Sequence, residues 1–162
     1  MAYTLDALRK QIESSDTSVK INECTEHLLS FGTADCLCVV RMHHGTLTCD
    51  VSKPIKKSEP GLDDYRKIND LINETRFGKH SLKYDPEKRN FNYIFALEFD
   101  AEHYDVLDTV QYAMKAFAIA YDIINLPDTK TAYRRIETYS AALSISKEIA
   151  RQAGNPVRSV MT

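Results

Sequence analysis

The window "CLCVVRMHHGTLTCDV", residues 36 to 51, constrains the fold more than any other part of the chain. Residues alternate in character on either side of His44-Gly45, a two-residue turn in which glycine supplies the positive φ. Folding the window about that turn sets His43 opposite Thr46, Met42 opposite Leu47, Val40 opposite Cys49 and Cys38 opposite Val51. One face then reads Cys36, Cys38, Val40, Met42, Leu47, Cys49 and Val51, with no charged side chain. The other carries Leu37, Val39, Arg41 and His43 against Thr46, Thr48 and Asp50. A one-residue slip would scramble this separation, so the pattern specifies both hairpin and register.

A second strand pair is expected later. His80, Leu82 and Tyr84 alternate; "DPEKRN" turns the chain; "FNYIFALEF" then puts Phe91, Tyr93, Phe95, Leu97 and Phe99 on one face. Helices are expected around these pairs. Leu5, Leu8 and Ile12 have helical spacing, as do Ile21, Cys24 and Leu28, with "SSDTS" dividing two helices, Asp16 or Ser18 capping the second, and Gly32 ending it. A central helix is read at 62–76 through Leu62, Tyr65, Ile68 and Ile72, stopped by Gly78. Asp100 is read as the cap of a further helix whose stripe is Leu107, Val110, Met114, Phe117, Tyr121 and Ile124. Pro127 ends it, Asp128 caps a last helix, and Gly154 with Pro156 closes that one. The expected fold is α+β: an antiparallel sheet built from strand pairs 35–43/46–52 and 79–84/91–99, packed with helices in one domain, 1–162.

A chain of 162 residues buries enough surface to fold without metal or disulfides. Its 21 Lys plus Arg against 23 Asp plus Glu give a net charge of −2, without the basic surplus of a nucleic-acid binder. The opening residues hold no signal-peptide core, and "AMKAFAIAYDII" is too short to span a bilayer and carries Lys115 and Asp122. The expected setting is therefore cytoplasmic and reducing, with no membrane and no nucleic acid as partner. Cys24, Cys36, Cys38 and Cys49 are read as thiols.

Two chemical readings attach to the hairpin. Cys36, Cys38 and Cys49 with His43 or His44 supply zinc-ligand types, but the fold-back sends His43 to the opposite face and His44 to the turn. "HGTL" at 44–47 matches half of the paired histidine motif of two-histidine phosphoesterases, and no second copy accompanies it: "HSLKY" and "HYDVL" place other residues after the histidine. Nucleophile-elbow, phosphate-loop, dinucleotide and HExxH motifs are absent. No catalytic residue, metal or cofactor is expected. A phosphoesterase or metal-dependent enzyme using His44 and the Cys36/Cys38/Cys49 hairpin stands as the alternative.

Leu37, Val39, Ile94 and Ala96 fall on the strand faces that a half-solvated sheet would make polar. Such a patch calls for a cover: a helix of the chain, a second subunit or a bound segment.

The stretch "INDLINETRFGKHSLKYDPEKRNFNYIFALEFD", followed by a long amphipathic helix, resembles the YbjN family of proposed bacterial sensory-transduction regulators. The resemblance covers roughly residues 62–125 and rests on Asn69, Asn73, Arg76-Phe77-Gly78-Lys79, and the hairpin and helix that follow. It implies a type III secretion chaperone-like fold and a non-enzymatic role. The implied protein is a homodimer that binds an extended segment of a protein or peptide client. The dimer would form through Tyr65, Ile68 and Ile72, and the client would meet Leu37, Val39, Ile94 and Ala96. Two strands are read before the central helix where that fold has three, with "KPIKK" as the candidate for the third.

Overall fold

The computed structural model describes residues 3–55, 78–125 and 148. Within them the order is α1 (Leu5–Ser15), β1 (Lys20–Cys24), β2 (Leu28–Gly32), β3 (Leu37–His43), β4 (Thr46–Ile55), β5 (Lys79–Asp85), β6 (Asn90–Asp100) and α2 (Val106–Ile124). The fold is α+β, and the six strands form one antiparallel sheet in the order β1-β2-β3-β4-β6-β5.

The β3–β4 register matches the sequence reading at every pair, from His43 opposite Thr46 to Cys38 opposite Val51. His44 (φ 50) and Gly45 (φ 82) both take the left-handed conformation of a two-residue hairpin turn. Strand β4 runs on to Ile55, three residues beyond the expected end, because β6 pairs with it over its whole length, up to Ile55 opposite Phe91.

The second N-terminal helix is not formed. Residues 20–32 make the β1–β2 hairpin instead, with Ile21 opposite Phe31 and Cys24 opposite Leu29. The three- and four-residue steps of Ile21, Cys24 and Leu28 were coincidental. The decisive alternation is Leu29 and Phe31, both wholly buried. Thr25 closes the turn, its Oγ1 accepting from the amides of His27 and Leu28. Four strands therefore precede residue 56, and "KPI" belongs to β4 rather than to a separate strand.

Both helices lie on the inner face of the sheet. Leu5, Leu8 and Ile12 anchor α1 against β1, β2 and α2, as their spacing predicts. Thr4 caps α1 by accepting from the Ala7 amide at 3.2 Å. Helix α2 crosses β4 and β6. Its N-cap is Asp105, not Asp100: the Asp105 carboxylate accepts from the Asp108 amide at 3.0 Å, and its carbonyl accepts from Thr109 Oγ1 at 2.6 Å. Asp100 closes the preceding turn by accepting from the His103 amide at 2.8 Å.

The α2 stripe is rotated from the expected one. Val110, Phe117 and Ile124 are buried as expected, whereas Leu107, Met114 and Tyr121 sit at the margin. The centre is held by Ala113, Ala116 and Ala120, each fully buried. Small residues let the helix backbone approach the ladder Tyr93, Phe95, Leu97 and Phe99, all buried. Burying each of these large side chains contributes about 1.5–3 kcal/mol. No helix among the described residues is long and apolar enough to cross a membrane.

Candidate functional site

The registers of three strand pairs lay out the outer face of the sheet row by row. Leu37 pairs with Ser52, Ser52 with Ile94, and Ile94 with Ser81. One row on, Val39 pairs with Asp50, Asp50 with Ala96, and Ala96 with Lys79. All four apolar residues read from sequence thus lie on this face, in two matched pairs on either side of β4. The polar track Thr48, Asp50 and Ser52 runs between them on β4, and two strand spacings separate β3 from β6 by about 10 Å.

Leu37 is the most open of the four at 42% exposure; Val39, Ile94 and Ala96 are half-buried. Beside the track, Arg41 Nη1 donates to Asp50 Oδ2 at 3.1 Å across the two strands. The track therefore offers hydroxyls at Ser52 and Thr48 and a carboxylate already held by a neighbouring cation. Tyr65, Ile68 and Ile72, the expected dimer surface, lie outside the described residues, as do the central helix and the last helix.

The hairpin separates its thiols from its imidazoles. Cys38 and Cys49 are wholly buried, with their sulfurs 3.7 Å apart. The hydrogen bond with Cys49 and the loss of solvent raise the Cys38 pKa well above the ordinary thiol range. Cys36 is half-buried beside Thr33 Oγ1 at 3.6 Å, and burial raises its pKa too. His44 is exposed at the turn, its ring 4.1 Å from that of His43. Among the described residues no three or more His, Cys, Asp or Glu side chains come together in a way that could hold a metal ion.

Two clefts that sequence reasoning did not find flank the helices. One of about 760 Å³ lies where the start of α1, the β3–β4 turn and the end of β6 meet, lined by Tyr3, Thr4, Met42, His44 and Asp100. Burial, reinforced by the nearby Asp105 charge, pushes Tyr3 up to about 12. Partial burial works to raise Asp100, but hydrogen bonds from the His103 ring (2.7 Å) and amide outweigh it and leave this carboxyl below its usual range. The second cleft, of about 400 Å³, lies between α2 and the β2–β3 turn, lined by Cys36, Lys53, Phe117, Tyr121 and Asp122. There Lys53 Nζ sits 5.0 Å from the centroid of the Tyr121 ring, whose hydroxyl donates to the Pro54 carbonyl at 2.7 Å. Sequence signals for either cleft are weak, because the first gathers residues from three separated parts of the chain and the second from four.

No protein-family model matches the sequence, and no curated protein matches it. The structure is similar to the crystal structure of YbjN, a candidate transcription regulator from E. coli, with a TM-score of 0.50 and 10% sequence identity. The match covers 76% of this chain and 90% of that one. At this identity the similarity establishes a YbjN-like fold.

Proposed function

We propose that this protein is a non-enzymatic, chaperone-like or regulatory binding module of the cytoplasm, homodimeric, that takes an extended segment of another polypeptide across its outer sheet face. The observation that carries the reading is the pair of apolar strips, Leu37/Val39 and Ile94/Ala96, astride the polar track of β4. A strand-like segment laid along β4 would find partners for its backbone at Ser52 and Thr48. Its apolar side chains would reach the strips on either side, and the fixed spacing of the strips would supply selectivity. The YbjN-like fold supports this role, since YbjN itself is described as a candidate transcription regulator.

The test is binding to an array of immobilised short peptides, compared with Leu37→Asp and Ile94→Asp variants. Leu37 is exposed, so Leu37→Asp should change stability by only about 0.5 kcal/mol. Ile94 is half-buried, so Ile94→Asp should cost about 1–2 kcal/mol, and its melting temperature is checked before binding is compared. A subset of extended apolar peptides should bind the native protein and be lost from both variants. Equal binding by native and variant proteins would refute the reading.

A second reading keeps the alternative enzyme. His44 lines the larger cleft together with Asp100, which holds the His103 imidazole. His44→Ala decides it: hydrolysis of a phosphomonoester by the native protein, abolished in a variant with an unchanged melting temperature, would favour catalysis over binding.

A further inference from the structure

The strand registers carry the outer face one row beyond its apolar strips. There Arg41 pairs with Thr48, and Thr48 with Glu98. Along its strand the β3 strip therefore runs Leu37, Val39, Arg41, and the β6 strip runs Ile94, Ala96, Glu98. Each has two apolar rows closed by a charge at the same end, and the two charges are opposite. Solvent reaches every one of these rows. Leu37, Arg41 and Glu98 are exposed, and none of Val39, Thr48, Asp50, Ser52, Ile94 and Ala96 is buried.

The closing charges differ in what they already hold. Arg41 turns inward along the face and meets Asp50 at 3.1 Å. On β6 the next row belongs to Asp100, whose carboxylate is occupied by the amide and ring of His103. Lys79 stands opposite Ala96 on β5, one row from Glu98. Among the described residues neither Lys79 nor Glu98 makes an ion pair. Glu98 is thus an uncommitted carboxylate at the end of an apolar strip.

We propose that the segment taken by this face is an apolar one closed by a basic residue, with two apolar side chains over Ile94 and Ala96 and a Lys or Arg over Glu98. The spacing follows from the pleat. Successive rows of the face are two residues apart on each strand, about 7 Å, and an extended segment repeats at the same distance. Its alternate side chains, i, i+2 and i+4, therefore fall on successive rows. A cation at the third position meets Glu98, whereas a carboxylate there meets a like charge and is turned away. This rests on the outer-face reading above and specifies the chemistry of its partner.

The experiment uses the full chain on an array of synthetic peptides, acetylated and amidated so that their ends carry no charge. Each alternates threonine with two apolar residues (Ala, Val, Ile or Leu) and then Lys, Gln or Glu, in both chain directions. The tightest binders are titrated by calorimetry against native, Glu98→Lys and Glu98→Gln proteins. Glu98 is exposed, so both variants should keep a melting temperature close to native. The native protein should bind the Lys peptide roughly tenfold more tightly than its Glu counterpart, with Gln between them. Glu98→Gln should erase that preference and Glu98→Lys reverse it, and raised salt should shrink it. Peptides that bind without preference, or a preference that persists in Glu98→Lys, overturn this proposal and leave the outer-face reading standing. No binding by any peptide, or binding that Leu37→Asp leaves untouched, overturns both.

Discussion

Replacing Gly78 with alanine isolates one of the tightest close approaches in the molecule. Gly78 has φ +100, and a Cβ built on it would lie 2.5 Å from Phe95 Cζ, 2.8 Å from Phe95 Cε1 and 2.9 Å from the Ala96 carbonyl oxygen. The ring cannot swing away freely, because Phe95 is wholly buried and packs on His80 at 4.4 Å between centroids. The carbonyl belongs to β6 and moves only with that strand. Two costs combine: about 1–2 kcal/mol for a side chain in left-handed backbone and about 1–3 kcal/mol for overpacking. For a chain of this size a loss of about 3 kcal/mol lowers the melting temperature by roughly 6–12 °C. Gly45→Ala is the matched control. Gly45 also has positive φ (+82), but nothing lies within 4 Å of its added Cβ, so only the backbone cost applies. Thermal and urea unfolding followed by circular dichroism read both. The reasoning is refuted if Gly78→Ala costs no more than Gly45→Ala.

Asp105→Ala should destabilise the protein by about 1 kcal/mol through loss of the α2 cap, while Asp100→Ala, outside the helix, should leave α2 helicity unchanged by circular dichroism. Alkylation with iodoacetamide followed by mass spectrometry should label exposed Cys24 first and half-buried Cys36 more slowly. Cys38 and Cys49 should react only on unfolding, and their labelling in the native state would contradict the buried pair. Raising pH tests Tyr3: its folded pKa lies above the ordinary phenol value of 10.0, so its stabilising contribution is complete below pH 10 and is lost as pH climbs through about 12. Tyrosinate absorbance should show a step near that value, absent from Tyr3→Phe; a titration unchanged by Tyr3→Phe would refute it.

Legibility in the sequence followed the number of independent constraints on each element. The register of the β3–β4 hairpin was readable to the residue, though not the ends of its strands, because alternation, a glycine turn and the exclusion of charge from one face all demanded one pairing. The β6 ladder was readable for the same reason, since period two persists over nine residues from Phe91 to Phe99. The β1–β2 hairpin was not. Only Leu29 and Phe31 of its two strands are buried, so its signal is two residues long, and an accidental helical spacing outweighed it. The helix α2 was found but turned, because a stripe drawn through large residues passes over Ala113, Ala116 and Ala120, where closeness to the sheet matters more than bulk. On the candidate site, sequence placed the four apolar residues on one face. It gave no hint that β4 would lie between them, since that depends on β6 pairing with β4 rather than β3.

That same pairing has a kinetic consequence. Strands β1 to β4 form a meander and β5–β6 a hairpin, each closing short loops, whereas the β4–β6 ladder joins Thr46 to Asp100 and Ile55 to Phe91. Such a joint carries a loop-closure entropy that must be met before its contacts are gained, so it zips late. Until it does, two partly formed halves each expose a long strand, bearing Leu47, Cys49 and Val51 on one side and Phe95, Leu97 and Phe99 on the other. Neither strand has a bulge to deflect a wrong partner. The slowest step in acquiring the structure is thus also the interval in which chains at high concentration are most prone to pair with each other instead of with themselves.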